Sequence, residues 1–319
     1  MKDRHFYSID ILRGWVAILV CLYHLSEGFL ADQDVLRFLF SRGYLGVEIF
    51  FVISGFVIPY TMYLRKHQYS DTGTFLLKRL IRIEPPYWAS ILLIFLVDYI
   101  SKFFVHYEDK VIYVDYPNLL YHILHINDFL DEPWLKGIYW SLAVEVQYYL
   151  FAAMIFPLIF SESKWLRYAF LFAFCMGRWT EWDHSVFYYG CHFVSGILFF
   201  QFKTGMITRK DFFIAMIICW GITFWCFDLY HLSAVIFAIL VMYFLNYKIR
   251  PFIFLGTISY SFYLIHIQVA WVLMDACRRS YPATHPYYHM TLSLLAAIVA
   301  SVIFYYLVER PSHKLAKRF

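Results

Sequence analysis

Apolar runs of seventeen or more residues recur along the whole chain, broken by short charged or aromatic stretches. A helix of that length crosses the hydrocarbon core of a bilayer. The pattern therefore predicts an all-α, polytopic integral membrane protein. Ten spans are placed at 9–30, 43–64, 86–105, 139–160, 166–178, 185–202, 211–228, 231–247, 251–276 and 288–309. The fifth is short, and the division near Asp228–His231 also reads as one long bent segment. With ten spans both termini share a side. Connections on that side carry 18 Lys and Arg against 8 on the other, which predicts cytoplasmic termini. The longest outer connection, 106–138, is acidic and aromatic, and YPNLLYHILHINDFL within it has the pattern of an amphipathic or re-entrant helix. No repeat or linker divides the chain, so 1–319 is read as a single membrane-embedded domain.

Composition excludes the soluble classes. The 319 residues are 61% hydrophobic and 16% charged, against about 45–50% and about 25% in soluble domains, and the mean hydropathy is +0.57. Nothing points to nucleic acid. The first apolar run is too long for a signal-peptide core and no A-x-A-like site follows, so it is read as a retained helix. The six Cys lie in or beside apolar runs without C-x-x-C or metal spacing; neither disulfides nor a metal centre are expected. His122-x-x-His125-x-x-Asp128 has helical spacing but reads as the polar face of an amphipathic helix.

The first span carries the unusual residues Arg13, His24 and Glu27. Eleven residues separate Arg13 from His24, three turns plus about 20°, so both project from one face about 16 Å apart along the axis. The alternating topology places His24, Glu48, Glu145 and His266 at overlapping depths in the outer half. Ionisable groups at such depth cost a few kcal/mol each unless they face a cavity or a partner. A shared central polar cavity is the expectation; a structural ion-pair cluster is the alternative. A neutral His beside a carboxylate has the makings of an oriented general base. On the inner side, Lys78, Arg79 and Arg82 precede Pro85–Pro86, read as a helix start, and Arg13 enters from the same side. Guanidinium groups match phosphate oxygens, although lipid headgroups and positive-inside orientation also account for such a patch.

These residues resemble acyltransferase family 3, integral-membrane O-acyltransferases of bacterial surface carbohydrates, in its stand-alone form. The likeness covers nearly the whole chain. It rests on Arg13 with His24, on GVEIFFVISGFVI (46–58), on Arg79-Leu-Ile-Arg82-Ile-Glu-Pro85 and on Trp140-Ser141-Leu-Ala-Val-Glu145. Gly256-Thr-Ile-Ser259-Tyr260-Ser261 leading to His266, and Val308-Glu309-Arg310-Pro311, complete it. The resemblance implies transfer of an acyl group, usually acetyl from acetyl-CoA, to a hydroxyl of a carbohydrate, free or lipid-linked, across the bacterial cytoplasmic (inner) membrane. It implies no metal, and it leaves homo-oligomerisation open. On it, Arg13, Arg79 and Arg82 hold the CoA phosphates. His24 is the base, with a covalent acyl-His as the variant, and Glu145 orients it. Glu48, Trp140, Ser141, Tyr260 and His266 line the acceptor site. A flippase or a non-catalytic partner in polysaccharide export is the competing reading.

Overall fold

The computed structural model describes residues 6–103, 113–180, 182–245 and 247–319. Lys2 and Arg4, and residues 104–112 with Lys110 and the start of the 106–138 connection, lie outside the described residues. The elements among them are helical, with no strand. They are α1 (Tyr7–Phe29), α2 (Val35–Phe40), α3 (Gly46–Leu64), α4 (Thr72–Ser101), α5 (Tyr116–Leu124), α6 (Trp140–Ile159), α7 (Lys164–Cys175), α8 (Gly190–Lys203), α9 (Arg209–Cys226), α10 (Leu229–Phe244), α11 (Arg250–Thr257), α12 (Ser259–His266), α13 (Val272–Ser280), α14 (Pro286–Phe304) and α15 (Arg310–Ala316).

Each of the ten predicted segments contains a helix among the described residues. Five stretches among the described residues are long and apolar enough to cross a membrane: Tyr7–Phe29, Val35–Leu64, Tyr69–Ser101, Trp140–Ile159 and Pro286–Ala316. Arg250–Thr257 with Ser259–Ser280 makes a sixth if the two are one span, bent by 59° at Ile258. The straight helix expected at 251–276 is thus broken. The third segment begins at Thr72 and keeps Pro85 and Pro86 inside the helix, so the pair is not a helix start. The missing prolyl N–H groups leave the Ile81 and Arg82 carbonyls without their ladder bonds. The amphipathic stretch is helical over Tyr116–Leu124 only, and a 3-10 turn occupies Asn127–Leu130.

The chain forms two compact units. The first comprises residues 1–12, 45–76 and 125–249, the second residues 13–44, 77–124 and 250–319. In the first, α3 packs along α8, with α6 and α10 against α3 and with α7 and α9 against α8. Paired glycines allow the α3–α8 approach: a Cβ at Gly196 would overlap the Val52 carbonyl, and one at Gly55 the Phe193 carbonyl. Small residues that bring backbones together are how helices associate where lipid offers no hydrophobic drive. Gly196→Leu is expected to cost about 3 kcal/mol or more, because backbone cannot yield as a side chain can. A fall in the detergent thermal midpoint, measured beside Gly73→Ala in open space, checks this.

In the second unit α12 and α13 pack on α14. The buried stripe of α14 is Ser293, Ala297 and Ser301, while Leu292, Leu295, Val299 and Ile303 are more than half exposed on its other side. An apolar face of that extent is untenable in water and natural in lipid. Two glycines seat α1 in this unit. A Cβ at Gly14 would lie 2.6 Å from the Gly256 nitrogen of α11, and one at Gly28 would overlap the Trp271 ring. Fourteen residues, or about 21 Å of helix, separate these contacts, and Arg13 and His24 lie at and between them.

Candidate functional site

Within the second unit His24 meets His266. The ring centroids are 5.5 Å apart and the planes are inclined by 31°. His266 is buried. Its Nδ1–H donates to the Tyr263 carbonyl at 2.8 Å, with the Phe262 carbonyl at 3.3 Å. That assignment leaves the lone pair on Nε2, a buried atom with no hydrogen-bond partner. His266 also ends α12 at a π-helical stretch, Ile267–Trp271. A π turn inserts one residue and rotates the helix beyond it, and such turns gather at functional sites.

About 16 Å along α1 from His24, Arg13 belongs to a second group in the same unit. Arg82 Nε donates to His313 Nε2 at 3.0 Å. Glu309 is buried, and its Oε2 accepts the Ser261 amide at 3.0 Å and the Ser261 hydroxyl at 2.5 Å. Its Oε1 lies 3.5 Å from His313 Nε2. The lone pair of that nitrogen is already taken by Arg82, so this is a neutral contact, not an ion pair. The charges of Arg13 and Arg82 both bear on Glu309 and on His313. A second π stretch, Tyr305–Glu309, delivers Glu309 here. The Tyr260 hydroxyl donates to the Ile83 carbonyl at 2.8 Å, tying α12 to α4 one residue beyond the carbonyls that the proline pair leaves without ladder partners. Arg79 lies one turn before Arg82 on the same helix.

The first unit holds a separate polar chain around Glu48. Its Oε2 lies 3.1 Å from His192 Nε2 and its Oε1 3.1 Å from His231 Nε2. His231 Nδ1 lies 2.7 Å from Asp228 Oδ1. Both ring nitrogens of His231 thus face carboxylate oxygens, an arrangement that the doubly protonated imidazole satisfies. Asp228 caps α10 and also accepts the His231 amide at 2.9 Å. Glu145 accepts the Tyr149 hydroxyl. Trp140 stacks on His184, with centroids 4.5 Å apart, and on Tyr189 at 5.5 Å. The Ser141 hydroxyl donates back to the Ile138 carbonyl at 2.9 Å.

The sequence-predicted residues thus fall into two sets. Arg13, His24, Arg79, Arg82, Tyr260 and His266 belong to the second unit, and Glu48, Trp140, Ser141 and Glu145 to the first. Sequence reasoning missed His192, Asp228, His231, Ser261 and His313 as partners. A His inside an apolar helix was the available signal for His192 and His231. The i,i+4 spacing of Glu309 and His313 was the signal at the inner group. Among the described residues no group of His, Cys, Asp and Glu is arranged to hold a metal ion.

Comparison with known proteins adds the chemistry. Residues 6–310 match the family model described as an acyltransferase domain. The O-acetyltransferase OatA of Staphylococcus aureus strain NCTC 8325 / PS 47 is 31% identical over 168 residues, 50% of this chain and 25% of that protein. OatA of strain MRSA252 gives the same figures. Another S. aureus relative, from strain COL, is 29% identical over 188 residues, 54% of this chain and 28% of its own length. The chain thus spans about a quarter of the length of the curated relatives it matches. No solved structure matches it.

Proposed function

The chain belongs to the acyltransferase-domain family matched over residues 6–310, and on that premise we propose that it transfers an acyl group, acetyl by preference, from acyl-CoA to a carbohydrate hydroxyl. The staphylococcal relatives named as O-acetyltransferases support acetyl. The chain then sits in the bacterial cytoplasmic membrane with ten crossings and cytoplasmic termini, the donor arriving from the inside and the acceptor, free or lipid-linked, from the outside.

One observation carries the proposal: His24 packed against a buried imidazole with a bare Nε2, on the helix that also bears Arg13. In our reading His24 takes the proton of the acceptor hydroxyl while that oxygen attacks the thioester carbonyl. The C–O bond forms, the C–S bond breaks, and the thiolate recovers the proton from the His24 imidazolium. The charged His24 then has a second N–H to place, and the lone pair of His266 Nε2 receives it. His266 so takes the orienting part that a carboxylate plays in an acid–base triad. It shares a unit with His24, whereas Glu145 is engaged by Tyr149. Arg82, fixed through Nε by His313, and Arg13 with Arg79 receive the donor's phosphates. An extended pantetheine arm spans the ~16 Å to His24. Glu48, Trp140 and Ser141 belong to the first unit and support its own fold in this account.

The test feeds radiolabelled acetyl-CoA to inside-out membrane vesicles of cells that make the protein and extracts the surface glycan. Label in the glycan, absent from vesicles without the protein, is the expected result. Glycan translocation without label would instead identify a flippase.

A further inference from the structure

A cavity of about 590 Å³ opens in the second unit at the end of α1. Glu27, Arg37, Met274, Arg278 and His289 are among its lining residues. Glu27 lies three residues beyond His24, about 4.5 Å further along the helix. The Trp271 ring packs on Gly28, another lining residue, so the cavity sits just outward of the His24–His266 pair. Its rim is built in advance. Arg37 binds Glu27 at 2.9 Å, Asp32 at 2.6 Å and the Leu30 carbonyl at 3.0 Å. The Tyr287 hydroxyl binds both Asp34 carboxylate oxygens at 2.9 and 3.0 Å.

Two polar groups in this wall are left over. His289 is 6% exposed, and its ring makes no hydrogen bond among the described residues. Both Arg278 and Arg279 follow Asp275 on α13, but Asp275 engages Arg279, at 3.0 Å. Arg278 has no acidic partner among the described residues and lines the cavity. The lining charges are one carboxylate, Glu27, already paired with Arg37, then Arg278, and a His289 ready to donate. A guanidinium and an imidazole without partners in a preformed, partly apolar chamber are a site for an anion.

We propose that this cavity binds a negatively charged group of the acceptor, a carboxylate or a phosphate, and so selects acidic or phosphate-bearing carbohydrate for presentation to His24. Naming the ligand the acceptor rests on the transferase reading above; the anion site does not. The cavity is apolar on one side, through Met274, so the ligand is a sugar ring with an acidic substituent and not a small inorganic ion.

The experiment is saturation-transfer NMR on the full chain in phosphatidylcholine nanodiscs without acyl donor, with glucuronate, glucose 1-phosphate and neutral glucose as probes. One or both anionic sugars are expected to bind at least about tenfold tighter than glucose. Arg278→Gln and His289→Gln are each expected to weaken that binding about 10- to 100-fold, the worth of a charge-assisted hydrogen bond. Arg279→Gln is expected to leave it unchanged, which also controls for folding. Preference for glucuronate identifies a carboxylate site and preference for glucose 1-phosphate a phosphate site. Equal binding of all three sugars, or wild-type binding in Arg278→Gln, overturns the proposal. So does loss of sugar binding when the nanodisc lipid is phosphatidylglycerol, which would mark a lipid headgroup site. Because no donor is present, Arg278-dependent binding by a protein that transfers no label from acetyl-CoA in the vesicle assay would refute the transferase reading and leave the anion site standing.

Discussion

His24→Ala is expected to lower acyl transfer by about 10²- to 10⁴-fold, the range that a positioned general base contributes. The effect should fall on kcat with the donor KM little changed, because His24 lies about 16 Å along α1 from the arginine group assigned to the phosphates. The ring packs on His266 and no ion pair depends on it, so the variant should fold. His266→Gln is expected to be milder. It removes the Nε2 lone pair but leaves the base, so His24 keeps its reach and loses its fixed orientation. A drop of about 10- to 100-fold is expected for such a supporting partner. Steady-state kinetics with acetyl-CoA, on protein matched by size exclusion, read both. A raised donor KM with unchanged kcat in His24→Ala would move His24 from chemistry to binding.

Arg82→Ala should give the opposite signature: a donor KM raised about 10- to 100-fold, with kcat within a few fold. Binding that is equal in ground and transition state behaves this way, and a charge-assisted bond is worth about 1.5–3 kcal/mol. The guanidinium spends Nε on His313, and its two Nη groups make no hydrogen bond among the described residues. The fork is therefore held by its stem with its prongs unspent, as phosphate recognition requires. Arg82→Lys keeps the charge and loses the fork, so a partial rise in KM is expected. Glu309 matters here through the field it shares with both arginines. It balances two like charges that would otherwise repel within the membrane. CoA without its 3′-phosphate, used as a competing ligand, should discriminate less between wild type and Arg82→Ala if Arg82 grips that phosphate. A kcat loss with unchanged KM would place Arg82 outside the donor site.

How much of this was legible in the sequence depends on the kind of signal each residue leaves. The His24–His266 pair was accessible through expected depth, because the topology of alternating helices read from the sequence converts residue number into an expected height in the bilayer. Depth does not tell which helices are neighbours. Glu48 and Glu145 were expected at the same height yet belong to the other unit, and Glu48 is satisfied there by His192 and His231. Side-chain partners across 144 and 183 residues leave no local pattern. The proline pair misled for a physical reason. In water a Pro-Pro step normally opens a helix, whereas a buried helix in a membrane protein keeps it when another group re-satisfies the freed backbone. The Tyr260 hydroxyl reaches the next carbonyl along, that of Ile83, in the same turn. The bend at Ile258 falls in the polar-leaning stretch Gly256-Thr-Ile-Ser259-Tyr-Ser261, which the hydropathy pattern absorbs into one apolar segment over 251–276. Its structural correlate is the tight Gly14–Gly256 approach, which only three dimensions reveal. Arg82 and Glu309 stood in recognisable motifs, but their link through His313 and Ser261 did not.

The most direct test of the account is a double-mutant cycle on acceptor-stimulated thiol release from acetyl-CoA, with the protein in nanodiscs and a crude surface glycan as acceptor. Wild type, His24→Ala, His266→Gln and the double variant are compared. If the two imidazoles act as one unit, the double variant is no slower than His24→Ala alone, because residues of a unit are far from additive. Wild-type thiol release in His24→Ala, or losses that multiply in the double variant, would contradict the His24–His266 pair as the seat of the reaction.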